Sequence, residues 1–296
     1  MDRCAAGLTL VERRFACTRC GQCCNRAPEL ELGEAAALAD VFVLRLMLRI
    51  YSLPKALADY VTDLPREMAS AEFYESKRLL GQFAASSWPA RVRRGAAQVD
   101  YVQYLSLSVL PLDLGTAACP ALDNAECSIY ARRPLSCRSV PLHYSRPAAA
   151  AARDLDAFTT TPGFACVTGP DAPLVIAANA IVDPAMLAAR AAAAARAEAD
   201  RPWKLALVKA MKAGRHPGLP SPREVEAEAA QGVMTTTMDR AWHIAVAAGT
   251  MTPEALCAAI EAQRALIDQA LARPGLPAET FRTLAAMAAS YAAFAG

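Results

Sequence analysis

Apolar residues fall on nearly every side of the segment that begins at Gly33 and runs to about Ile50. A helix that is apolar all round is normally packed deeply inside a protein. We therefore predict a buried helix over 33–50, ended by Ser52-Leu53-Pro54. A second helix is predicted over 66–86, where the apolar residues suit one helical face: Met68, Phe73, Leu79, Leu80 and Phe83.

Apolar and polar residues alternate from Gln98 to Leu110, which is the pattern of a half-buried strand. This strand delivers the chain directly to Cys119. The other elements predicted in this half are a basic turn at Arg91–Gly95, an irregular loop over 119–146 with one helical turn at Tyr130–Arg133, a helix at Ala148–Asp156 and a short strand at Leu174–Ala178.

From Pro184 onward the pattern becomes purely helical. The predicted helices are Pro184–Asp200, Pro202–Ala213, 222–231, 235–248, 253–272 and 278–294. The fold class that we predict is mainly α, in an α+β arrangement. A metal-organised cysteine-cluster domain with two short strands covers 1–180, and a helical domain covers 181–296.

Clustered cysteines are the strongest chemical signal in the chain. Four thiols fall within the eight residues Cys17–Cys24, and a second group begins at Cys119. Core packing does not need that density, whereas thiolate ligands must converge on a metal centre. We interpret the two segments as halves of one metal-binding unit, with these candidate ligands: Cys17, Cys20, Cys23, Cys24, Cys119, Cys127, Cys137 and Cys166.

The spacing of these thiols bears on the identity of the metal. Structural zinc usually takes two separate C-x₂-C pairs, whereas a C-x₂-C-x₂-C triplet is typical of the loop around a [4Fe–4S] cluster in bacterial ferredoxins. In those ferredoxins a distant Cys-Pro supplies a further ligand, and Cys119-Pro120 has that local form. Zinc stays open as the second choice, because Cys17 and Cys20 with Cys127 and Cys137 would also complete a tetrahedron.

Adjacent thiols cannot easily share one small ion, so Cys23 and Cys24 raise the question of how many centres there are. The eight candidates suffice for two four-coordinate centres, or for one cluster with reserve thiols. The competing interpretations of the set are buried structural cysteines and a disulfide framework in an exported protein. Cys4 and Cys257 are predicted to be ordinary thiols, and Cys166 is balanced between the two roles.

Arg133 and Arg138 flank Cys137 and are the candidate residues for contacts with a cofactor. Their guanidinium groups would donate hydrogen bonds to thiolates, offset the negative charge of a cluster or hold an anionic ligand. The alternative is that they bind loop carbonyl groups. No nucleotide-binding glycine loop, zinc-protease motif or nucleophile elbow accompanies the cysteines, so no catalytic residue is assigned.

Composition sets few limits on function. A net charge of +2 gives no general case for binding nucleic acid. The most apolar window, 35–50, is too short to span a bilayer and contains charged residues, and nothing near Met1 resembles a secretory signal. We therefore expect a cytoplasmic protein with no nucleic-acid or membrane partner, whose thiols stay reduced.

At its cysteines the chain resembles the bacterial family often called YkgJ, a zinc- or iron-chelating CxxCxxCC domain. The resemblance covers roughly residues 15–170 and not the helical C-terminal part, and Val140 stands where the family has an aromatic residue. The shared pattern is Phe15-x-Cys17-x-x-Cys20-Gly21-x-Cys23-Cys24, Cys119-Pro120-x-Leu122 and Cys127-x-Ile129-Tyr130-x-x-Arg133-Pro134-x-x-Cys137-Arg138-x-x-Pro141.

The resemblance implies that the matched cysteines bind an iron–sulfur cluster or zinc. One branch of the family is similar to flagellin lysine N-methylases, which implies an enzyme that uses S-adenosylmethionine to methylate a protein substrate. Three hypotheses therefore stand. They are a thiolate-held metal centre, protein lysine N-methylation, and a zinc-stabilised interaction or metal-handling module in which spare thiols such as Cys24 pass ions on.

Overall fold

The computed structural model describes residues 11–25, 28–94, 97–115, 118–214, 216, 218–229 and 233–293. Cys4, predicted to be an ordinary thiol, lies outside the described residues. Helices account for 48% and strands for 20% of the structure, which confirms the α+β class. Among the described helices, none combines the length and apolar character needed to cross a bilayer.

The strands and helices are numbered here in chain order. The strands are β1 (Arg13–Arg14), β2 (Leu44–Pro54), β3 (Ser86–Arg94), β4 (Ala97–Pro111), β5 (Leu122–Asp123), β6 (Glu126–Cys127), β7 (Leu174–Ala177), β8 (Ala180–Ile181) and β9 (Met234–Thr237). The helices are α1 (Leu32–Ala35), α2 (Arg66–Phe83), α3 (Leu135–Arg138), α4 (Ala151–Thr159), α5 (Pro184–Ala213), α6 (Pro222–Ala229), α7 (Asp239–Ala247), α8 (Pro253–Leu271) and α9 (Ala278–Ala292).

The largest sheet is antiparallel, with the strand order β3-β4-β2-β9. Strand β2 pairs with β4 from Leu44 opposite Pro111 to Pro54 opposite Tyr101. The predicted helix over 33–50 is therefore wrong for most of its length, because only Leu32–Ala35 and the 3₁₀ turn Ala36–Leu38 are helical before β2 begins. Ser52-Leu53-Pro54 is the end of this strand.

The physical reason for this error lies in the face of β2 that points away from the main core. Leu44, Leu46 and Leu48 are completely buried on one face, as alternation in a strand requires. Met47, Arg45 and Arg49 lie on the opposite face, where a guanidinium nitrogen of Arg49 lies 3.7 Å from the Met47 sulfur. Met47 is buried as well, so the sequence shows an apolar run in which the period of two is hidden.

Three further predictions need correction. The two short strands expected within residues 1–180 are wrong in number and in length, since β2 and β4 alone have 11 and 15 residues. The basic stretch Arg91–Arg94 is not a turn but belongs to β3, which pairs with β4 from Ser86 opposite Leu105 to Arg94 opposite Ala97. The C-terminal part is not purely helical either. Residues 234–237 form β9 at the edge of the large sheet, so the helix predicted over 235–248 begins only at Asp239.

The other predicted elements are confirmed with shifts of a few residues. They are α2, β4, the 3₁₀ turn Tyr130–Arg132, α4, β7, α6, α8 and α9. The two helices predicted over 184–213 form one helix, α5, which continues through Pro202. Asp183 caps its first turn through a bond from the Met186 N–H group, and Gly214 ends it with a left-handed φ of 62°.

The main core lies between the large sheet and the C-terminal helices. It contains Leu46 and Leu107 from the sheet together with Trp203, Trp242 and Tyr291 from α5, α7 and α9. This core thus draws on residues from both sides of position 180. The domain boundary that we predicted there stays a prediction.

A second, smaller core forms around the three-stranded sheet β1-β7-β8. Phe15, Leu142, Leu155, Ile176 and Met186 are its principal members. The segment that carries the first cysteines therefore emerges from this small core, whereas the later cysteines follow β4 out of the large sheet.

The side chain of Gln263 forms hydrogen bonds with backbone groups of the turn before β2. Its side chain is completely buried, accepts from the Leu44 N–H group at 2.7 Å and donates to the Ala39 and Phe42 carbonyl groups at 2.8 and 2.7 Å. We predict that Gln263→Leu lowers the free energy of unfolding by about 3 kcal/mol, because three buried backbone groups lose their partners. Urea unfolding monitored by circular dichroism measures this change.

The matched control is Gln269→Leu on the exposed side of the same helix. We expect it to shift the free energy of unfolding by no more than about 0.5 kcal/mol. Similar losses in both variants would show that the buried hydrogen bonds of Gln263 do not stabilise the fold.

Candidate metal centre

The first cysteine loop is anchored by a bridge between two distant parts of the chain. The Ala16 N–H group donates to the Val167 carbonyl at 2.8 Å, and the Val167 N–H group donates back to the Ala16 carbonyl at 3.1 Å. This pairing places Cys17 beside Cys166. The loop then turns through left-handed φ angles of 58° at Arg19 and 73° at Gly21 and enters the 3₁₀ helix Gln22–Asn25.

The second cysteine segment is built around the small hairpin β5–β6. Its connecting residues Asn124 and Ala125 have φ angles of 48° and 66°, as a two-residue type I′ turn requires. The hairpin holds Cys127 opposite Leu122. A separate hydrogen bond, from the Cys119 N–H group to the Cys24 carbonyl at 2.7 Å, ties this segment to the first loop.

All eight candidate cysteines line one cavity, which we call the thiol cavity. Its volume is about 300 Å³. Arg19, Arg133 and Arg138 also line it, as do several aromatic residues: Phe15, Phe42, Tyr130, Phe158 and Phe164. The cysteines that meet here are Cys17, Cys20, Cys23, Cys24, Cys119, Cys127, Cys137 and Cys166.

For description, these thiols form two groups according to their electrostatic interactions, and a hydrogen bond from the Cys23 thiol to Cys24 joins the two groups. Cys166 interacts with the three cysteines of the triplet, so the first thiol group is Cys17, Cys20, Cys23 and Cys166. Cys24 interacts with the three cysteines of the second segment, so the second thiol group is Cys24, Cys119, Cys127 and Cys137.

Two ligand sets that the spacing suggested combine thiols from both groups, and as ligand sets they stay predictions. Cys119 lies with Cys24, and the residue that joins the Cys17-x-x-Cys20-x-x-Cys23 triplet is Cys166. Cys17 and Cys20 likewise belong with Cys166, whereas Cys127 and Cys137 belong to the second thiol group. Long-range chain pairing therefore decides which thiols are neighbours.

Burial and repulsion between neighbouring thiols raise the pKa of several of these cysteines and favour their protonated form. Burial raises the pKa of Cys137 to about 12, and the neighbouring Cys119 and Cys127 act in the same direction. Burial also raises the pKa of Cys119 and of Cys166. A metal cation reverses this preference because it binds the thiolate form and displaces the proton.

Two of the thiols have a lowered pKa. Cys24 accepts a hydrogen bond from the Cys23 thiol, which lowers the pKa of Cys24 and raises that of Cys23. Backbone N–H groups of Gln22 and Ala165 hydrogen-bond to the Cys20 sulfur and lower its pKa as well. The Cys17 sulfur accepts from the Arg19 N–H group at 3.4 Å.

Arg133 is held in place by Tyr130. Its guanidinium carbon lies 3.7 Å from the centre of the Tyr130 ring, and its Nε donates to the Tyr130 carbonyl at 3.2 Å. Arg133 thus binds a loop carbonyl, as one interpretation expected, and also lines the thiol cavity. Arg138 is exposed, lines the cavity and interacts with the carboxylate of Glu34.

Sequence reasoning missed Arg19 as a residue of the site. Its guanidinium carbon lies 4.6 Å from the centre of the Tyr130 ring, a cation–π contact that joins the two cysteine segments. The available signal was its position between Cys17 and Cys20. Cys257, predicted to be an ordinary thiol, is exposed on α8.

Thiolate chemistry fits zinc and iron–sulfur clusters, both of which proteins commonly bind through cysteine. In the part of the chain that the structure describes, however, no three His, Cys, Asp or Glu side chains are grouped so that they could hold a metal ion. The cysteines share the cavity as free thiols. Metal binding by this set therefore stays a prediction.

Gly21 allows the first loop to approach the β5–β6 hairpin. It has a left-handed φ of 73°, and a Cβ atom there would lie 3.0 Å from the Ala125 carbonyl oxygen. We predict that Gly21→Ala lowers the free energy of unfolding by about 1–2 kcal/mol, because the left-handed conformation is strained for alanine. Urea unfolding of protein treated with chelator measures the loss.

Gly169→Ala serves as the control, since an added Cβ there meets no atom within 4 Å. If both variants unfold at the same urea concentration as the original protein, the left-handed conformation at Gly21 is not strained for alanine.

Comparisons of the chain with family models, with curated proteins and with solved structures give no match. The similarity to the cysteine-cluster family thus stays at the level of the sequence motifs.

Proposed function

We propose that this protein holds an iron–sulfur centre, most simply a [4Fe–4S] cluster, through cysteine thiolates of the thiol cavity. The observation that carries the proposal is the convergence of eight thiols from several distant chain segments on one cavity. Zinc is the second choice of metal, because it binds the same ligands.

The arrangement favours ligands over structural cysteines. A structural cysteine behaves as a small hydrophobic residue and is usually fully buried on its own. Here Cys17 is exposed, the other seven are only partly buried, and all eight line a common space. In a reducing cytoplasm, which the proposal assumes, such thiols remain free for a metal.

Iron–sulfur chemistry is favoured over zinc by the composition of the first thiol group. Three of its members form the C-x₂-C-x₂-C run, and the fourth comes from a distant segment. The same combination of a short run with a remote cysteine supplies the four ligands of a ferredoxin cluster. Zinc sites are more often assembled from two separate pairs.

The charges around the cavity suit an anionic centre. Four thiolates around a cluster leave it with a net negative charge, and Arg19, Arg133 and Arg138 all line the cavity. Guanidinium groups near the sulfur atoms stabilise that charge and tune the reduction potential of a cluster. This is the role that we propose for Arg133 and Arg138.

Protein lysine N-methylation with S-adenosylmethionine is the second candidate function. It requires space for an adenine ring beside the centre. The described feature that suits this ring is the aromatic wall of the thiol cavity, where the rings of Phe158 and Phe164 lie with their centres 4.9 Å apart. Retention of radiolabelled S-adenosylmethionine by metal-loaded protein in equilibrium dialysis tests this function.

We predict that Cys20→Ser loses about half or more of the bound iron and acid-labile sulfide, because serine replaces a thiolate ligand of the cluster. The measurement is elemental and sulfide analysis, with an absorption spectrum, of anaerobically purified protein. Cys257→Ser is the matched control, since Cys257 is exposed on α8, and it should keep the full content.

Zinc in place of iron, with no absorption in the visible range, would move the proposal to a structural zinc site. Absence of both metals from the original protein, or full metal in Cys20→Ser, would contradict the proposal of a thiolate-held centre.

A further inference from the structure

We infer that the thiol cavity binds a small phosphate monoester, whose phosphate group is held by Arg19 and Arg133 and whose apolar ring lies against phenylalanine rings of the cavity. The inference goes beyond the proposed function and does not require a metal, because no sulfur atom takes part in it. We call the three residues that carry it, Arg19, Tyr130 and Arg133, the arginine–tyrosine cluster.

The ring of Tyr130 brings two guanidinium groups close together. The guanidinium carbon of Arg133 lies 3.7 Å from the ring centre, and that of Arg19 lies 4.6 Å from it. All three residues line the thiol cavity, and Tyr130 is 43% exposed. The two cation–π contacts thus hold a pair of like charges at a position that a ligand can reach from solvent.

Neither of these two cations has an anionic partner among the residues that the structure describes. The ion pairs of those residues all involve other basic side chains. The neighbouring Arg132, which does not line the cavity, pairs with Asp40 at 2.9 Å. Arg133 uses only its Nε atom to bind the Tyr130 carbonyl, so its terminal nitrogen atoms remain for a ligand.

A phosphate monoester matches the charge of two guanidinium groups. Near neutral pH such a group carries a charge of about −1.5 to −2 and has three acceptor oxygen atoms. Guanidinium groups bind these oxygen atoms through paired, charge-assisted hydrogen bonds. A carboxylate has a single negative charge and would leave one of the two cations uncompensated.

The other charged groups of the cavity do not oppose an anion. Its described lining contains three arginines and one carboxylate, that of the exposed Glu126. The thiols add negative charge only where they ionise. Burial acts against ionisation of Cys119, Cys137 and Cys166, whose pKa it raises.

An apolar wall completes the site. The rings of Phe158 and Phe164 lie 4.9 Å apart and those of Phe15 and Phe158 lie 6.3 Å apart, measured between ring centres. Phe158 and Phe164 are partly exposed, so they offer ring surface to a ligand. Ligand sites usually combine such a wall with a few polar groups that fix orientation, and a volume of about 300 Å³ suits a small ligand.

The experiment measures the binding of phenyl phosphate to the full chain by isothermal titration calorimetry at constant ionic strength. We expect phenyl phosphate to bind at least about ten times more tightly than inorganic phosphate, which has no ring to bury. We expect a similar advantage over benzoate, which has the ring but only one negative charge.

Three substitutions test which arginines hold the phosphate. Arg19→Gln and Arg133→Gln should each weaken the binding of phenyl phosphate about tenfold, because each removes a charge-assisted contact. Arg132→Gln is the matched control, since it removes the same charge from the adjacent residue outside the cavity. We expect it to change the affinity less than about twofold, because solvent screens an exposed charge.

Two results overturn the inference. Equal losses of affinity in all three variants would show that only the overall charge matters. Equal affinities for phenyl phosphate, inorganic phosphate and benzoate would show an adventitious ion only. Protein that holds no metal but binds phenyl phosphate as expected contradicts the proposed function and leaves this inference standing.

A second measurement covers the case in which a variant fails to fold. Phenylglyoxal modifies accessible arginine side chains, and peptide mapping identifies the modified residues. In the original protein, saturating phenyl phosphate should slow the modification of Arg19 and Arg133 and leave that of Arg282, which is exposed on α9, unchanged. Unchanged modification of Arg19 and Arg133 contradicts the inference.

Discussion

A buried carboxylate at the start of α1 holds together the segments on which the site depends. Glu31 is buried, accepts a hydrogen bond from the Tyr144 hydroxyl at 2.7 Å and pairs with Lys204 of α5 at 3.3 Å. Lys204 also donates to the Phe83 carbonyl at the end of α2 at 3.0 Å. Because an unpaired charge in this position would be costly, these segments are constrained to meet here.

Glu34 connects Glu31 to the segment that carries Cys137. In the first turn of α1, Glu34 accepts from the Glu31 N–H group and, with its other oxygen, from the Leu135 N–H group at 2.8 Å. Leu135 begins the short helix α3 that contains Cys137. The position of the second thiol group is thereby coupled to α5 and the main core, and the first thiol group is supported separately by the smaller core.

Local sequence signals predicted those elements in which the apolar periodicity and the residues at the ends indicate the same helix or strand. Helices α2 and α8 have one apolar face, and the sequence of β4 alternates from Leu105 to Val109, so neighbouring residues suffice to define them. Strand β2 could not be recognised in this way, because Met47 fills its outer face and hides the alternation. Strand β9 is only four residues long and exists because the exposed edge of β2 offers hydrogen bonds to it.

The candidate site could likewise be predicted only in part from the sequence. The identity of the eight thiols followed from their spacing, and the structure brings all of them to one cavity. The spacing does not predict which thiols lie next to each other, because this depends on contacts between residues far apart in the chain. These contacts are the pairing of Ala16 with Val167 and the hydrogen bond from the Cys119 N–H group to the Cys24 carbonyl. Such contacts leave no periodic pattern in the sequence.

The distance along the chain between Cys23 and Cys166 has a consequence for biosynthesis. A ribosome adds about 5–20 residues per second, so Cys17, Cys20 and Cys23 emerge roughly 7–30 s before the fourth thiol of their group exists. During that interval three closely spaced thiols are available to oxidants, to one another and to stray ions. The three thiols of the Cys17–Cys23 run are therefore synthesised well before Cys166 can pack beside them.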